Sequence, residues 1–160
     1  MTIKVGDKIP NVTLRRMTDE GPKTITTDEI FNRKRVVLFA VPGAFTPTCS
    51  KAHLPGFVVN VDAIRAKNVD SIVCLSVNDA FVMDAWGKNQ NVDDNIMMVA
   101  DGSAEFTKVV GLEHDRTDMG MGIRSLRYAM VVEDGIVKIL NVEEPGEFKA
   151  SSADTILGLL

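Results

Sequence analysis

The chain of 160 residues contains only two cysteines, Cys49 and Cys74. Two thiols cannot build the multi-bridge framework of a small secreted domain. They are not spaced as C-x-x-C, which excludes a zinc ribbon and a thioredoxin-type dithiol. Histidine is equally scarce: His53 and His114 have no suitable third ligand nearby, so no metal site is expected. Long apolar runs are missing too. The longest, Val36 to Val41, falls far short of the ~20 residues that span a bilayer. The opening Met1 to Asp7 has no apolar signal-peptide core. Basic clusters are absent and the net charge is −4, which argues against nucleic acid, whose binding rests on phosphate neutralisation. These absences leave a reducing compartment, with the cytoplasm as the expectation and neither membrane nor nucleic acid as a partner.

The remaining composition is that of an ordinary globule, 45% hydrophobic and 25% charged. The length fits one domain over residues 1–160, able to bury about 70% of the surface its unfolded chain exposes.

Patterning divides the chain into alternating elements. Val12–Leu14 and Thr24–Thr26 read as short strands about the turn-prone Asp19-Glu20-Gly21-Pro22, and Thr27 as the cap of a short helix. The continuous β-rich run Val36–Val41 suits a strand covered on both faces, and so does Ser71–Val77. Between them lies a helical stretch, Thr48 to Lys67, which Pro55-Gly56 should kink or interrupt. Asn78-Asp79 caps a helix to Lys88 with Phe81, Val82, Ala85 and Trp86 as its apolar stripe. A strand Asn95–Ala100 and a short helix Ser103–Val110 ended by Gly111 follow. Leu112–Arg124 reads as a loop. Asp134-Gly135 joins strands Arg127–Val132 and Ile136–Val142 in a hairpin, and Ser151–Leu160 closes the chain as a helix. The expected fold is α/β: a central mixed β-sheet with helices on both faces, built from parallel βαβ units with an antiparallel edge. Sites in such sheets gather at the carboxyl ends of strands, where the loop after Val41 lies.

Cys49 stands where that loop turns into helix, so its N–H is among those with no intrahelical partner, and the helix dipole favours a thiolate. A free thiol is only a few per cent ionised at neutrality. Bringing one from ~8.5 to ~6 takes about 3.4 kcal/mol. A helix terminus gives about 0.3–1 kcal/mol and a hydroxyl donor, such as that of Thr46, about 1.5–3. A reactive Cys49 therefore needs a cation as well. Of eight arginines, Arg124 and Arg127 lead into a strand of the sheet, and spacing does not choose between them. His53, four residues on, is either the base of a Cys–His pair or a polar group orienting nearby backbone. Cys74, mid-strand, is either an inert buried hydrophobe or a resolving thiol, and the first is the usual fate of such a residue.

The run Pro42-Gly43-Ala44-Phe45-Thr46-Pro47-Thr48-Cys49 resembles the peroxiredoxin signature of proline, three residues, threonine, two residues and cysteine. Ser50-Lys51-Ala52-His53-Leu54-Pro55-Gly56-Phe57, Ser76 to Met83, Ala85-Trp86 and Arg124 to Met130 resemble its type II, or fifth-class, branch. The resemblance spans Val5 to Leu160. It implies a thioredoxin-like fold and a thiol peroxidase for hydrogen peroxide and alkyl hydroperoxides. It also implies Cys49 as the peroxidatic cysteine, Thr46 as the hydroxyl that positions peroxide, and Pro42 as a wall against water. Arg127, just before the aromatic residue of the late strand, becomes the cation. Gly43, Phe45 and His53 fall in supporting positions, and neither metal nor organic cofactor is implied.

Some relatives resolve the sulfenic acid with a cysteine near the C-terminus, where this chain has Ala150-Ser151-Ser152. The implied reductant is therefore external: glutathione with glutaredoxin, or thioredoxin. Relatives commonly dimerise edge-on, which makes the loop at Phe45, the Asp79–Phe81 turn and segment 119–122 candidate surfaces. The rivals are a cysteine-dependent hydrolase using His53 or His114 and a non-catalytic redox-sensing or holdase module.

Overall fold

The computed structural model describes residues 2–160. β1 (Thr13–Thr18) and β2 (Gly21–Thr26) form an antiparallel pair, followed by α1 (Thr27–Phe31) and β3 (Arg35–Val41). A π-helical turn over Cys49–His53 leads into α2 (Leu54–Val59) and α3 (Val61–Arg65). Then come β4 (Ser71–Ser76), α4 (Ala80–Asn89), β5 (Met97–Ala100) and α5 (Glu105–Val109). A small hairpin of β6 (Glu113–Arg116) and β7 (Gly122–Ser125) precedes β8 (Tyr128–Glu133), β9 (Ile136–Val142) and α6 (Ala153–Leu159).

The main sheet has seven strands in the order β2-β1-β5-β4-β3-β8-β9. β3, β4 and β5 are parallel, while β1, β8 and β9 join antiparallel. This is the mixed α/β sheet expected. Alternation along β3 divides the core in two. Val37, Phe39 and Val41 face the layer that holds Leu54, Phe57, Trp86 and Ile156. Val36, Leu38 and Ala40 face the layer that holds Phe31, Phe106 and Tyr128. Helices therefore cover both faces, and β3 is buried almost from end to end.

Several elements differ from the sequence reading. Thr26, not Thr27, caps α1, accepting from the Glu29 N–H, while Thr27 donates to the carbonyl of Pro10. The regular helix is interrupted just before Pro55. Pro55 sits in the first turn of α2, and the irregularity lies upstream, where the Leu54 N–H bonds Cys49 O five residues back. The widened turn accommodates the ring that would clash with the Lys51 carbonyl in a regular helix. A second break falls at Asn60, between α2 and α3. The buried stripe of α4 is Ala80, Met83, Trp86 and Gly87, and Phe81 is 65% exposed. Segment 112–124 is not all loop: β6 and β7 pair across it, His114 opposite Arg124. No apolar alternation marked them, because this hairpin is a separate two-stranded sheet outside the main core.

Phe57 is fully buried and stacks on Phe39 with centroids 4.0 Å apart and planes 3° from parallel. It ties α2, and so the turn carrying Cys49, to the sheet. Phe57→Ala is expected to cost about 3–5 kcal/mol in urea unfolding. A loss under ~1 kcal/mol would show that the contact is not structural.

Candidate active site

β3 ends at Val41 and the chain leaves the sheet through Pro42, at the carboxyl end of a central strand. Gly43 is needed for closeness rather than for an unusual backbone. A Cβ there would lie 3.1 Å from Thr46 Cγ2 and 3.2 Å from Arg124 Nη1. Asn78, at the end of the neighbouring strand, holds the loop. Its Oδ1 accepts from the Ala44 N–H at 2.9 Å and from the Ser76 hydroxyl at 2.5 Å. Phe45 adopts a left-handed φ of 65°, which is uncommon for a bulky residue, and its half-exposed ring lies 6.4 Å from Trp86. Helix then starts at Pro47, the favoured position for proline, placing Cys49 third in the first turn.

Cys49 is fully buried, and Arg127 Nη2 donates to its sulfur at 3.1 Å. Arg127 immediately precedes β8, opposite the residue that follows β9, and its carbonyl accepts from the Glu143 N–H. Arg124 goes elsewhere: it donates to the carbonyls of Met121 and Val77 and braces the loop at Gly43. Spacing could not choose between the two arginines, and the structure places Arg127 at the thiol.

His53 does not touch the sulfur. Arg127 Nη1 lies 2.9 Å from Nδ1, and Nε2 lies 3.0 Å from the Ser151 carbonyl. A guanidinium can only donate and a carbonyl can only accept, so Nδ1 is the acceptor and Nε2 carries the proton. Burial, and then the Arg127 charge, lower its pKa from the ordinary 6.5 to about 3, against the Ser151 carbonyl and the Glu143 charge, which raise it. A neutral ring with both nitrogens engaged has no lone pair free for Cys49, so the Cys–His pair does not form.

Residues distant in sequence complete this arrangement. Glu143 Oε2 accepts from the N–H groups of Lys149 and Ser151 and from the Ser151 hydroxyl. Burial works to raise the Glu143 pKa, but these donors outweigh it and hold the carboxyl below its ordinary range. The segment so anchored carries Phe148, whose ring lies 5.0 Å from that of His53 and 5.8 Å from the Arg127 guanidinium carbon. Sequence reading missed Glu143, Ser151 and Phe148, and nothing local marks them.

Thr46 donates its hydroxyl to the Gly43 carbonyl at 2.7 Å, not to the sulfur. Pro42, Thr48, Leu126 and Arg127 line an open cleft together with residues of β6 and of the segment after β9. Cys74 sits in β4 opposite Phe39, fully buried. Burial, and then the Cys49 charge, push its thiol pKa well up. Both cysteines are free thiols.

A mixed sheet with a thiol and a guanidinium joined at the end of a central parallel strand defines a thiol-redox protein of thioredoxin-like fold. A family model described as Redoxin matches residues 4–157. The chain is 48% identical to the chloroplastic peroxiredoxin-2E of Arabidopsis thaliana, over 99% of this chain and 70% of that one. It is 43% identical to the hybrid peroxiredoxin hyPrx5 of Haemophilus influenzae, over 100% and 67%. The solved structure of reduced Prx3 from Vibrio vulnificus in complex with hydrogen peroxide superposes with a TM-score of 0.95, at 54% identity and 99% coverage of both chains. The chain belongs to the peroxiredoxin family, in its type II, Prx5-like branch, and its activity is that of a thiol-dependent peroxidase.

The buried His53 fixes an acid limit on stability. Above pH 6.5 neither the folded nor the unfolded ring holds the extra proton. As pH falls below 6.5 the unfolded chain takes it up, while the folded chain refuses it until about 3. Stability is thus lost across that window, at up to ~1.4 kcal/mol per pH unit from this residue. Urea melts of wild type and His53→Gln at pH 6.5, 5.5 and 4.5 are expected to converge by about that slope, since other groups cancel in the difference. Parallel pH profiles would show that His53 is not the buried base.

Proposed function

We propose that this peroxidase reduces hydrogen peroxide and alkyl hydroperoxides through Cys49, with an external small or protein thiol closing the cycle. The observation that carries the reading is the Arg127 Nη2 to Cys49 Sγ hydrogen bond, with the same guanidinium tied to His53. Peroxide enters through the cleft that Pro42, Thr48 and Arg127 help to line, small enough to reach a thiol too enclosed for bulky electrophiles. The thiolate attacks one oxygen in line. An S–O bond forms as the O–O bond breaks, leaving sulfenic acid and releasing water or an alcohol once the leaving oxygen takes a proton. Arg127 offers N–H groups to the sulfur and to the oxygen on which charge develops. Thr46 already donates its O–H to the Gly43 carbonyl, so its oxygen is left as an acceptor for the peroxide O–H. Pro42 presents an apolar face with no N–H to compete.

Glutathione, with glutaredoxin, is the reductant this reading favours, and thioredoxin is the alternative. Cys74 supports an external route, because a buried thiol held protonated is a poor nucleophile toward a sulfenic acid. The exposed Phe45, Phe81 and Met119 support dimerisation through the surfaces that carry them. Such a cycle belongs in a reducing compartment, for which the cytoplasm is proposed.

Mass spectrometry after one equivalent of peroxide is expected to show a gain of about 16 Da on Cys49 alone, or a mixed disulfide when glutathione is present. Cys74→Ser is expected to retain steady-state turnover with glutathione and glutaredoxin. An unmodified Cys49, or collapse of turnover in Cys74→Ser, would overturn the corresponding half of the reading.

A further inference from the structure

The turn that carries Thr46 contains a strained residue. Phe45 holds a φ of 65°, in a region that favours glycine and that a bulky side chain occupies only where its surroundings over-determine it. On its C-terminal side, the Thr46 N–H and hydroxyl both donate to the Gly43 carbonyl, at 3.4 and 2.7 Å. On its N-terminal side, the Ala44 N–H donates to Asn78 Oδ1 at 2.9 Å. Asn78 is itself oriented. Its Oδ1 also takes the Ser76 hydroxyl at 2.5 Å, and two donors on one atom fix which end of the amide faces the turn. Ser76 is fully buried in β4, and its single hydroxyl proton goes to Asn78 rather than to the Val41 carbonyl, 3.4 Å away. The Cys49 sulfur is held separately, by Arg127.

The geometry points to Asn78 as a positioning residue for the peroxidase step, with Ser76 as its orienting partner. By holding the Ala44 N–H, Asn78 keeps the turn closed with Phe45 in its left-handed conformation. The Thr46 oxygen then stays where peroxide meets it. Without the Oδ1 acceptor the Ala44 N–H is released, Phe45 relaxes to negative φ, and the Thr46 hydroxyl turns with the backbone that carries it. The thiolate itself is unchanged, because its hydrogen bond comes from Arg127. The inference rests on the reading that Thr46 accepts the peroxide O–H.

The test is the ratio of the hydrogen peroxide and iodoacetamide rate constants at Cys49. Both reagents meet the thiolate, so its ionised fraction and general damage to the site cancel, and the handling of the peroxide oxygens remains. Asn78→Leu removes the acceptor and is expected to lower the ratio roughly tenfold, the scale of one hydrogen bond. Asn78→Asp keeps an Oδ1 acceptor and is expected to stay within about threefold of wild type. Ser76→Ala, a smaller change that frees the amide to turn, is expected to lower the ratio about fivefold. Thr46→Val is expected to lower it at least as far as Asn78→Leu. Adding Asn78→Leu to Thr46→Val is expected to cost nothing more, since Asn78 acts through Thr46. Three results, each with a fall in Thr46→Val, would overturn the positioning role alone. They are a ratio within about twofold of wild type in Asn78→Leu or in Ser76→Ala, a loss in Asn78→Asp as deep as in Asn78→Leu, and losses that multiply in the double variant. An unchanged ratio in Thr46→Val would overturn the reading of Thr46 and the positioning role with it.

Discussion

Arg127 donates one N–H to the sulfur of Cys49 and another to the ring of His53, and both acceptors are fully buried. Much of the surrounding architecture serves that double bond. A guanidinium brought beside a buried thiol loses solvation, and its donors must find partners there. His53 supplies one, and it can accept only while neutral. Burial and the arginine keep it neutral, and the Ser151 carbonyl fixes the proton on Nε2. Ser151 is in turn held by Glu143 through its N–H and its hydroxyl. The chain Glu143, Ser151, His53, Arg127, Cys49 thus links the segment after β9 to the turn after β3. Phe39, Phe57 and Phe148 pack around the His53 ring and complete its enclosure.

The two cysteines show how position rather than chemistry divides their roles. Both are buried in the same core layer. Cys74 lies within a central strand, paired to Phe39, where burial and the proximity of Cys49 disfavour its ionised form. Cys49 lies beyond a strand end, in the first turn of a helix, where a cation reaches it. The π turn over Cys49–His53 sets these two side chains at their separate tasks, the thiol toward Nη2 and the ring toward Nη1.

Much of this was legible in the sequence because it is local. The apolar runs gave β3 and β4, since strands covered on both faces need no alternation. Asp134-Gly135 marked the β8–β9 hairpin, and both residues have positive φ, 48° and 79°, as a primed turn demands. The proline, threonine and cysteine spacing drew attention to the loop after β3 through its resemblance to a family signature. Other features were not legible because they depend on contacts far along the chain. His53 meets Ser151 98 residues away, and Arg127 meets Cys49 78 residues away. Arg124 and Arg127 differ only in where β7 and β8 send them. Phe81 fitted a helical stripe by spacing but faces outward, because α4 lies on the sheet through Ala80, Met83 and Trp86. β6 and β7 carry charge where a buried strand would carry apolar residues, so no periodicity announced them.

We propose that Arg127 makes Cys49 selective for peroxide, acting on the oxygens in the transition state as well as on the sulfur. An uncharged alkylating agent such as iodoacetamide senses only the sulfur. The most direct measurement is therefore the ratio of the hydrogen peroxide and iodoacetamide rate constants at Cys49, in wild type and Arg127→Lys. Lysine keeps the charge but cannot give parallel N–H groups to His53 and the reacting atoms. The account predicts a fall in the ratio of about 10²–10³, the scale of losing a preorganised donor to a developing oxyanion. Equal losses in both rates, leaving the ratio unchanged, would contradict it.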